Sequence, residues 1–341
     1  MINVRLWPPR QSCPGSSERV PMSVFLLSIS AIVVLLAAGT YAAFWLALHR
    51  AEERLAGRST IVRSAAGTME YAEIGTGAPV LCIHGAAGGF DQTLDMTGAL
   101  AKEGFRLIAP SRFGYLQSSA PEHFTVAMQS DAYVALLDHL GIAQVAVAGI
   151  SAGAWSCLDF AIRHSDRCRA LILLVPANAL PPGVSIRGGA LARAIFNSDF
   201  IAWFFLKLTP LLPDLLAEVM LGTDPLVLRT AEPSEKARAN EILDHLLPVS
   251  RRTAGMGFDI QTAASPPPLA IESITCPVLA ISAEDDMFGT ALRARDIVSR
   301  VRNGRTIVFP TGGHALIGRQ AEALREATSF LRGLVQEAPG L

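Results

Sequence analysis

A serine hydroxyl is a weak nucleophile at neutral pH, and one serine in this chain stands where that would change. Gly149-Ile150-Ser151-Ala152-Gly153 follows the apolar run QVAVA and precedes the helix-like AWSCLDFAIRH. A serine on a strand-to-helix turn needs small neighbours, because the backbone there is tight and closely packed. The turn projects the hydroxyl outward, and the helix N-terminus behind it favours developing negative charge. A tight structural turn with an incidental serine is the plain alternative. The strand before and the helix after favour the nucleophile.

Such a serine needs a base, and the base needs an orienting acid. Of the seven histidines, His314 is the outstanding candidate: it follows the apolar run RTIVFP in a Thr-Gly-Gly-His loop, with a helical pattern beyond. His139 and His164 fall near the ends of helical stretches, and His49, His123 and His245 have no strand-end context, so surface positions account for them. The acid is expected at another strand end. PVLAIS runs into Ala283-Glu284-Asp285-Asp286-Met287, where three carboxylates follow one buried strand. Two of the three are expected to be solvated or capping groups. The chain order serine, acid, histidine is that of one particular fold.

The elements that would position these groups are legible as apolar runs alternating with helical patterns. TMEYAEIG and PVLCIHG read as adjacent strands with a turn at Gly75 and Gly77, after a polar stretch from Ala51 to about Ser64. FRLIAP, QVAVAGI, RALILLVPA, PVLAIS and RTIVFP follow as five more strands. Helices are predicted at Thr125–Leu140, Ala152–His164, Thr290–Arg302 and Gly318–Leu334. Apolar strands without alternation, separated by helices, predict a mostly parallel sheet covered on both faces. One interval breaks the rhythm. Between RALILLVPA and PVLAIS the chain is helical, apolar and rich in proline, from Pro181–Pro182 to Pro266–Pro268, which predicts a helical cap over the sheet. Its greasiest stretch, FIAWFFLKLTPLLPDLL, is interrupted by Lys207 and Pro210, so a lid helix is expected there and not a second membrane span.

The N-terminal run from Ser23 to Leu48 holds 26 residues without a charged side chain. As a helix it would extend roughly 39 Å, enough to cross a bilayer core. A signal peptide usually has an apolar region of only ~7–15 residues, so a retained single-pass anchor is favoured and a cleaved signal is the second reading. HRAEERLAGR then reads as a solvated continuation of the helix. Arg5, Arg10 and Arg19 before the run balance Arg50, Arg54, Arg58 and Arg63 after it, so the charges do not choose which side holds the main domain. A start at Met22 would tilt that balance towards the cytoplasm.

Composition removes several function classes. With 29 basic and 30 acidic residues the chain lacks the surplus a nucleic-acid binder needs. At 50% hydrophobic and 17% charged it is no disordered chain. Five cysteines without a CxxC pair make neither a disulfide framework nor a zinc site. No GxxxxGK[ST] or HExxH motif appears, no cofactor is implied, and oligomeric state is not encoded in any pattern. The mean hydropathy of +0.36 divides between the N-terminal run and the buried strands with their cap.

From roughly Ser64 to Leu334 the chain resembles an α/β-hydrolase-fold serine hydrolase. The residues that carry the likeness are His84-Gly85-Ala86-Ala87-Gly88-Gly89, the turn at Ser151, the AEDDMF segment and the GGH at 312–314. The resemblance implies Ser151 as nucleophile, His314 as base and Asp286 as acid, with Asp285 in reserve. It also implies an oxyanion hole from the backbone N–H groups of Ala86 and Ala152, and a structural role for His84. It divides the chain into a tail, anchor (about 23–48) and linker over 1–63, a hydrolase core over 64–177 and 270–341, and a cap over 178–269. Relatives often carry an aspartate before the Arg-x-Gly loop; here the run is Pro110-Ser111-Arg112-Phe113-Gly114. A serine in place of an aspartate nucleophile disfavours dehalogenase and epoxide-hydrolase chemistry. The expected activity is hydrolysis of a small apolar carboxylic ester by way of an acyl-enzyme. The alternatives are a carbon–carbon bond hydrolase of diketone-type ring-cleavage products, or a non-catalytic ligand-binding protein of this fold.

Overall fold

A computed structural model describes residues 21–64, 67–179 and 196–337. Arg5, Arg10, Arg19 and the Pro181–Pro182 pair lie outside the described residues. The chain divides into two compact units, Met1–Leu46 and Ala47–Leu341. A long helix, α1 (Met22–Leu55), provides the described part of the first unit and continues into the second. Up to Leu46 it is apolar on every side, with a mean hydropathy of 2.5 in its most apolar window. No polar face interrupts it, unlike a helix made to lie against a protein core.

The continuation past Ala47 corrects the sequence reading. HRAEERL is solvated on one face only: His49, Arg50 and Glu53 are exposed, but Ala51 and Leu55 are buried, and Leu55 packs with Ala72, Phe90 and Ala109. The "polar stretch" also ends in a strand, β1 (Thr60–Ser64), too short and too exposed to stand out as an apolar run.

β2 (Gly67–Ile74), β3 (Ala78–Ile83), β4 (Phe105–Pro110), β5 (Val145–Ile150), β6 (Cys168–Leu174), β7 (Val278–Ala283) and β8 (Gly304–Phe309) complete an eight-stranded sheet in the order β1-β2-β4-β3-β5-β6-β7-β8. β1 and β2 run antiparallel at one edge, and every pairing from β4 through β8 is parallel. β2 and β3 are therefore not neighbours, as the turn between them had suggested. β4 lies between the two, antiparallel to β2 and parallel to β3.

Both faces are buried, which explains the unbroken apolar runs. On one face Leu81, Val147 and Leu171 pack under α4 (Val126–His139) and α5 (Ala154–Arg163), through Tyr133, Leu136 and Leu158. On the other, Val80, Ala148 and Ile172 pack under α2 (Phe90–Thr97), α3 (Ala99–Lys102) and the C-terminal α12 (Gln320–Glu337), through Met96, Leu100 and Leu324. Four predicted helices are present within a few residues of their expected bounds; the third is α11 (Thr290–Arg300). Thr125 caps α4 by accepting the N–H of Met128 at its hydroxyl, a contact typically worth ~1 kcal/mol.

Between β6 and β7 the described residues form α6 (Asp199–Lys207), α7 (Pro213–Leu221), α8 (Pro225–Thr230), α9 (Pro233–Asp244) and α10 (Thr253–Ala264). Proline opens α7, α8 and α9, where its missing N–H has no intrahelical partner to lose. Three of the prolines in this interval, Pro213, Pro225 and Pro233, are thus helix starts. This helical insertion lies in the chain between two adjacent parallel strands.

Candidate active site

Parallel strands bring their carboxyl ends to one edge of the sheet, and the predicted site residues all follow those ends. Register fixes them there: Ile83 lies opposite Gly149 across β3 and β5, and Ala283 opposite Phe309 across β7 and β8. Ser151 follows β5, Asp286 follows β7 and His314 follows β8. The three side chains meet although 163 positions separate Ser151 from His314.

Ser151 has a φ of 50°, a left-handed conformation that a residue with a Cβ adopts at a cost of order 1–2 kcal/mol. The strain lifts its hydroxyl out of the turn. Its two flanking glycines are needed for closeness: a Cβ at Gly149 would lie 2.5 Å from the Cys157 sulfur, and one at Gly153 2.6 Å from the His84 carbonyl oxygen. A short 3-10 turn (Ser151–Gly153) then leads into α5. Ala152 directly follows the serine in this turn, and Ala86 lines the cavity above it.

His314 Nε2 lies 2.8 Å from Ser151 Oγ, and its Nδ1 lies 2.8 Å from Asp286 Oδ2. Asp286 is buried and accepts hydrogen bonds from the Phe288 N–H at 2.8 Å and from the Thr290 hydroxyl. Burial alone would raise its carboxyl. The neighbouring His314 charge, with the hydrogen bonds from His314, Thr290 and Phe288, outweighs burial and holds it below the ordinary carboxylate range. The arrangement can draw a proton from Ser151 Oγ onto Nε2 while Nδ1–H stays bonded to a carboxylate.

The three carboxylates after β7 have three different surroundings. Glu284 makes an exposed ion pair with Arg295, and Asp286 faces the histidine. Asp285, the reserve acid, turns instead to the backbone N–H groups of Gly312 at 3.2 Å and Gly313 at 2.8 Å. It braces the loop that carries His314 and does not touch the imidazole.

His84 is buried between two backbone groups. Nε2 accepts the Arg112 N–H at 2.8 Å, so Nδ1 carries the proton and donates to the Gly85 carbonyl at 2.7 Å. Burial and then the Arg112 charge lower its pKa well below 6.5, keeping it neutral. His245, expected on the surface, is half-buried and bonds Asp95 at 2.5 Å.

Several contributors had no signal in sequence. The carbonyl of Gly222, just past α7, accepts the N–H of His314 at 3.2 Å and of Met287 at 3.1 Å, so the insertion grips both the histidine and acid loops. Gln92 on α2 accepts the Gly85 N–H at 3.0 Å and lines the cavity. The missing aspartate of the Arg-x-Gly loop is replaced from a distance. Arg112 pairs in bidentate fashion with Asp259 of α10, both contacts at 2.7 Å, and Tyr115 donates to the same carboxylate. Ser111 instead donates to the buried Glu70 of β2. Only the spacing within the loop was visible; the partners are 147 and 41 residues away.

Above Ser151 and His314 lies a cavity of about 380 Å³. Its far wall belongs to the insertion, with Phe196, Met220, Leu221, Leu243, Leu246 and Met256; Val175 and Phe288 close the sides. Among the described residues no lysine, arginine, aspartate or glutamate lines it. Among the described residues no group of three or more histidine, cysteine, aspartate or glutamate side chains could hold a metal ion. Cys82 and Cys157 are buried, and burial pushes the Cys82 thiol up to about 12.

Comparison with known proteins agrees with this fold. The family model described as alpha/beta hydrolase fold matches residues 78–318. The uncharacterized hydrolase YcgS of Bacillus subtilis (strain 168) is 28% identical over 281 residues, covering 79% of this chain and 95% of that protein. An alpha/beta hydrolase fold protein from Nakamurella multipartita superposes with a TM-score of 0.63 at 25% identity, over 80% of this chain and 99% of the other. A membrane phospholipase A, at 18% identity, shares the fold with a TM-score of 0.63 over 92% of this chain and 99% of its own.

Proposed function

Because the chain belongs to the alpha/beta hydrolase fold family, we propose that this hydrolase cleaves carboxylic esters of apolar character, with Ser151 as nucleophile, His314 as base and Asp286 as orienting acid. The observation that carries the reading is the continuous Ser151–His314–Asp286 contact, 2.8 Å at each step, at the floor of a cavity whose described lining is mostly apolar.

In the proposed mechanism Ser151 Oγ attacks the ester carbonyl as its proton passes to His314 Nε2. The oxyanion is held by the N–H groups of Ala86 and Ala152, each donor contributing roughly 3 kcal/mol to the lowered barrier. The carbon–oxygen bond to the alcohol breaks and the alcohol leaves with the proton from His314. Water then adds to the acyl-enzyme, gives a proton to His314, and the acid departs as Ser151 regains its hydrogen. Asp286 stays ionised throughout and stabilises the imidazolium. The helical insertion acts as a cap and supplies the acyl pocket. Among the described residues the pocket offers an anionic diketone no cation, whereas a neutral ester leaves no buried charge unpaired. We read α1 as a single membrane span that tethers the hydrolase.

A serine-directed fluorophosphonate tests the nucleophile. Wild type should label and Ser151→Ala should not; persistent labelling of the variant would sink the assignment. Neutral p-nitrophenyl esters should be turned over and acidic diketones should not. The tether is tested by washing membranes with alkaline carbonate: the chain should stay in the pellet at the mass of a product that keeps Ser23–Leu48.

A further inference from the structure

We propose that the exposed apolar face of α6 and the turn after it seats on a phospholipid bilayer, so that the pocket takes esters dissolved in lipid. The proposal rests on the reading of α1 as a membrane span. α6 has two unlike faces. Ala202, Trp203 and Leu206 are buried, while Ile201 and Phe204 are about half exposed, at 48% and 49%. The same stripe continues past the helix with Leu211 at 76% and Leu212 at 41%. Exposure of scattered apolar side chains needs no explanation, but a stripe of this size at helical spacing does. Lys207 is the charged residue between Ile201 and Leu212; its long stem lets the ammonium reach headgroup phosphates from an apolar surface. Aromatic and aliphatic side chains beside a lysine suit an interfacial helix.

Continuity with the tether identifies the bilayer as the occupant. Glu52 lies four residues past Leu48, the last residue of the uncharged run, or about 6 Å along the helix. Glu52 pairs with Arg251 at 2.8 Å, and Arg54 bonds the Leu247 carbonyl at 2.8 Å. The next link is Ser250, whose N–H donates to Asp199, the first residue of α6, at 3.0 Å. The apolar stripe thus begins two residues from a hydrogen-bonded link to the helix end that leaves the uncharged run. Its chain neighbours also wall the cavity: Phe196 precedes α6, and Met220 and Leu221 end α7. Lipid at the stripe would therefore adjoin the segments that shape the acyl pocket.

The full chain, carrying Cys13→Ser, is placed in phosphatidylcholine vesicles with a nitroxide at F204C or L211C, and at V34C as a reference for the span. Power saturation then compares access to oxygen, which concentrates in lipid, with access to a water-soluble nickel chelate. F204C and L211C should read lipid, as V34C does. If V34C reads lipid and the other two read water, the docking is overturned while the span stands. If F204C reads lipid and V34C water, the docking stands and the span reading fails; water at all three overturns both. Shielding from both relaxers at F204C would place protein, such as a second copy of this chain, on the stripe and overturn the proposal. Correspondingly, I201S/F204S should lose at least about tenfold in hydrolysis of a long-chain p-nitrophenyl ester dissolved in the vesicles. Its hydrolysis of p-nitrophenyl acetate in solution should stay within about twofold, as for other surface changes. Equal rates on both substrates would count against lipid loading.

Discussion

The carboxyl edge of the sheet and the helical insertion meet at one cavity but are built on different terms. At the edge each polar group has an assigned partner: Asp286 bonds His314, Phe288 N–H and Thr290, and Asp285 holds two glycine amides of the next loop. The insertion faces the same space with methionines, leucines and phenylalanines, and its polar contacts to the core lie around that space: the Gly222 carbonyl, the Asp259 carboxylate, Arg252 on Asp91 and the Gly88 carbonyl, and Arg238 on the Ala315 and Leu316 carbonyls. Proton transfer needs atoms fixed to within tenths of an ångström, whereas an apolar wall needs only shape. Reaction and substrate choice are therefore held by separable parts of the molecule.

Substitution of the two adjacent aspartates tests the edge most severely. Asp286→Asn should lower kcat/KM on p-nitrophenyl butyrate by about 10⁴, because an amide leaves His314 with the wrong tautomer or no partner. Asp285→Asn keeps one oxygen for a glycine N–H, and should lose only about tenfold through a looser histidine loop. Equal losses, or the reverse order, would show that the edge works as one polar cluster and not as a relay plus a brace.

The junction between the two regions comes next. Arg112 and Asp259 are both buried, so Asp259→Ala strands a guanidinium and should cost about 3–5 kcal/mol in urea unfolding. Burial alone would lower the Arg112 pKa, and the Asp259 charge beside it is the main cause that raises it above its ordinary value, so the variant removes what offsets the burial of the guanidinium. The double variant Arg112→Met/Asp259→Leu should recover much of that loss, since an apolar pair replaces a buried ionic one. A single-variant loss below about 1 kcal/mol would mean that the Arg112–Asp259 pair does not help hold the insertion to the core.

How much of each region was legible follows from the same contrast. Strands buried on both faces write themselves as apolar runs, and glycines mark the turns at their ends. Ser151, His314 and the acidic run could therefore be picked out before any coordinates. Asp285 and Asp286 were ordered by family likeness, because nothing local tells an acid from a brace when both follow the same strand. β1 was missed since TIVRS is short and half-exposed, and β2 was set beside β3 since a glycine turn does not reveal which strand slips between. Partners such as Arg112–Asp259 and Ser111–Glu70 span distances in sequence at which no spacing rule operates. The insertion shows only that it is helical and apolar; which of its side chains reach the cavity depends on how its helices pack.

The cavity wall should accordingly be open to change without harm to the chemistry. Met220→Trp adds bulk at the far wall, and should cut kcat/KM for decanoyl relative to butyryl p-nitrophenyl esters by about 10–100-fold. Fluorophosphonate labelling should be nearly unchanged, because the small probe does not fill the pocket. If short and long esters fall together, the wall and the edge are not separable as described.

The smallest effect concerns pH, and it separates the fold beneath the edge from the reacting groups. His84 is kept neutral in the folded protein by burial and by Arg112, while the unfolded chain takes up a proton below pH 6.5. The unfolded state then binds more protons, so stability rises with pH below 6.5 and falls on acidification, by at most about 1.4 kcal/mol per pH unit. Asp91 works in a lower window. Burial would raise it, but Arg252 and Arg54 overcome this and hold it well below 3.8, so its stabilisation is present above that value and is lost below it. Between pH 6.5 and 5 the slope should thus belong to His84, and His84→Gln should flatten it whatever the variant does to stability at neutral pH. An unchanged slope in urea unfolding across that interval would mean that the buried imidazole is protonated in the folded state, against its two backbone contacts.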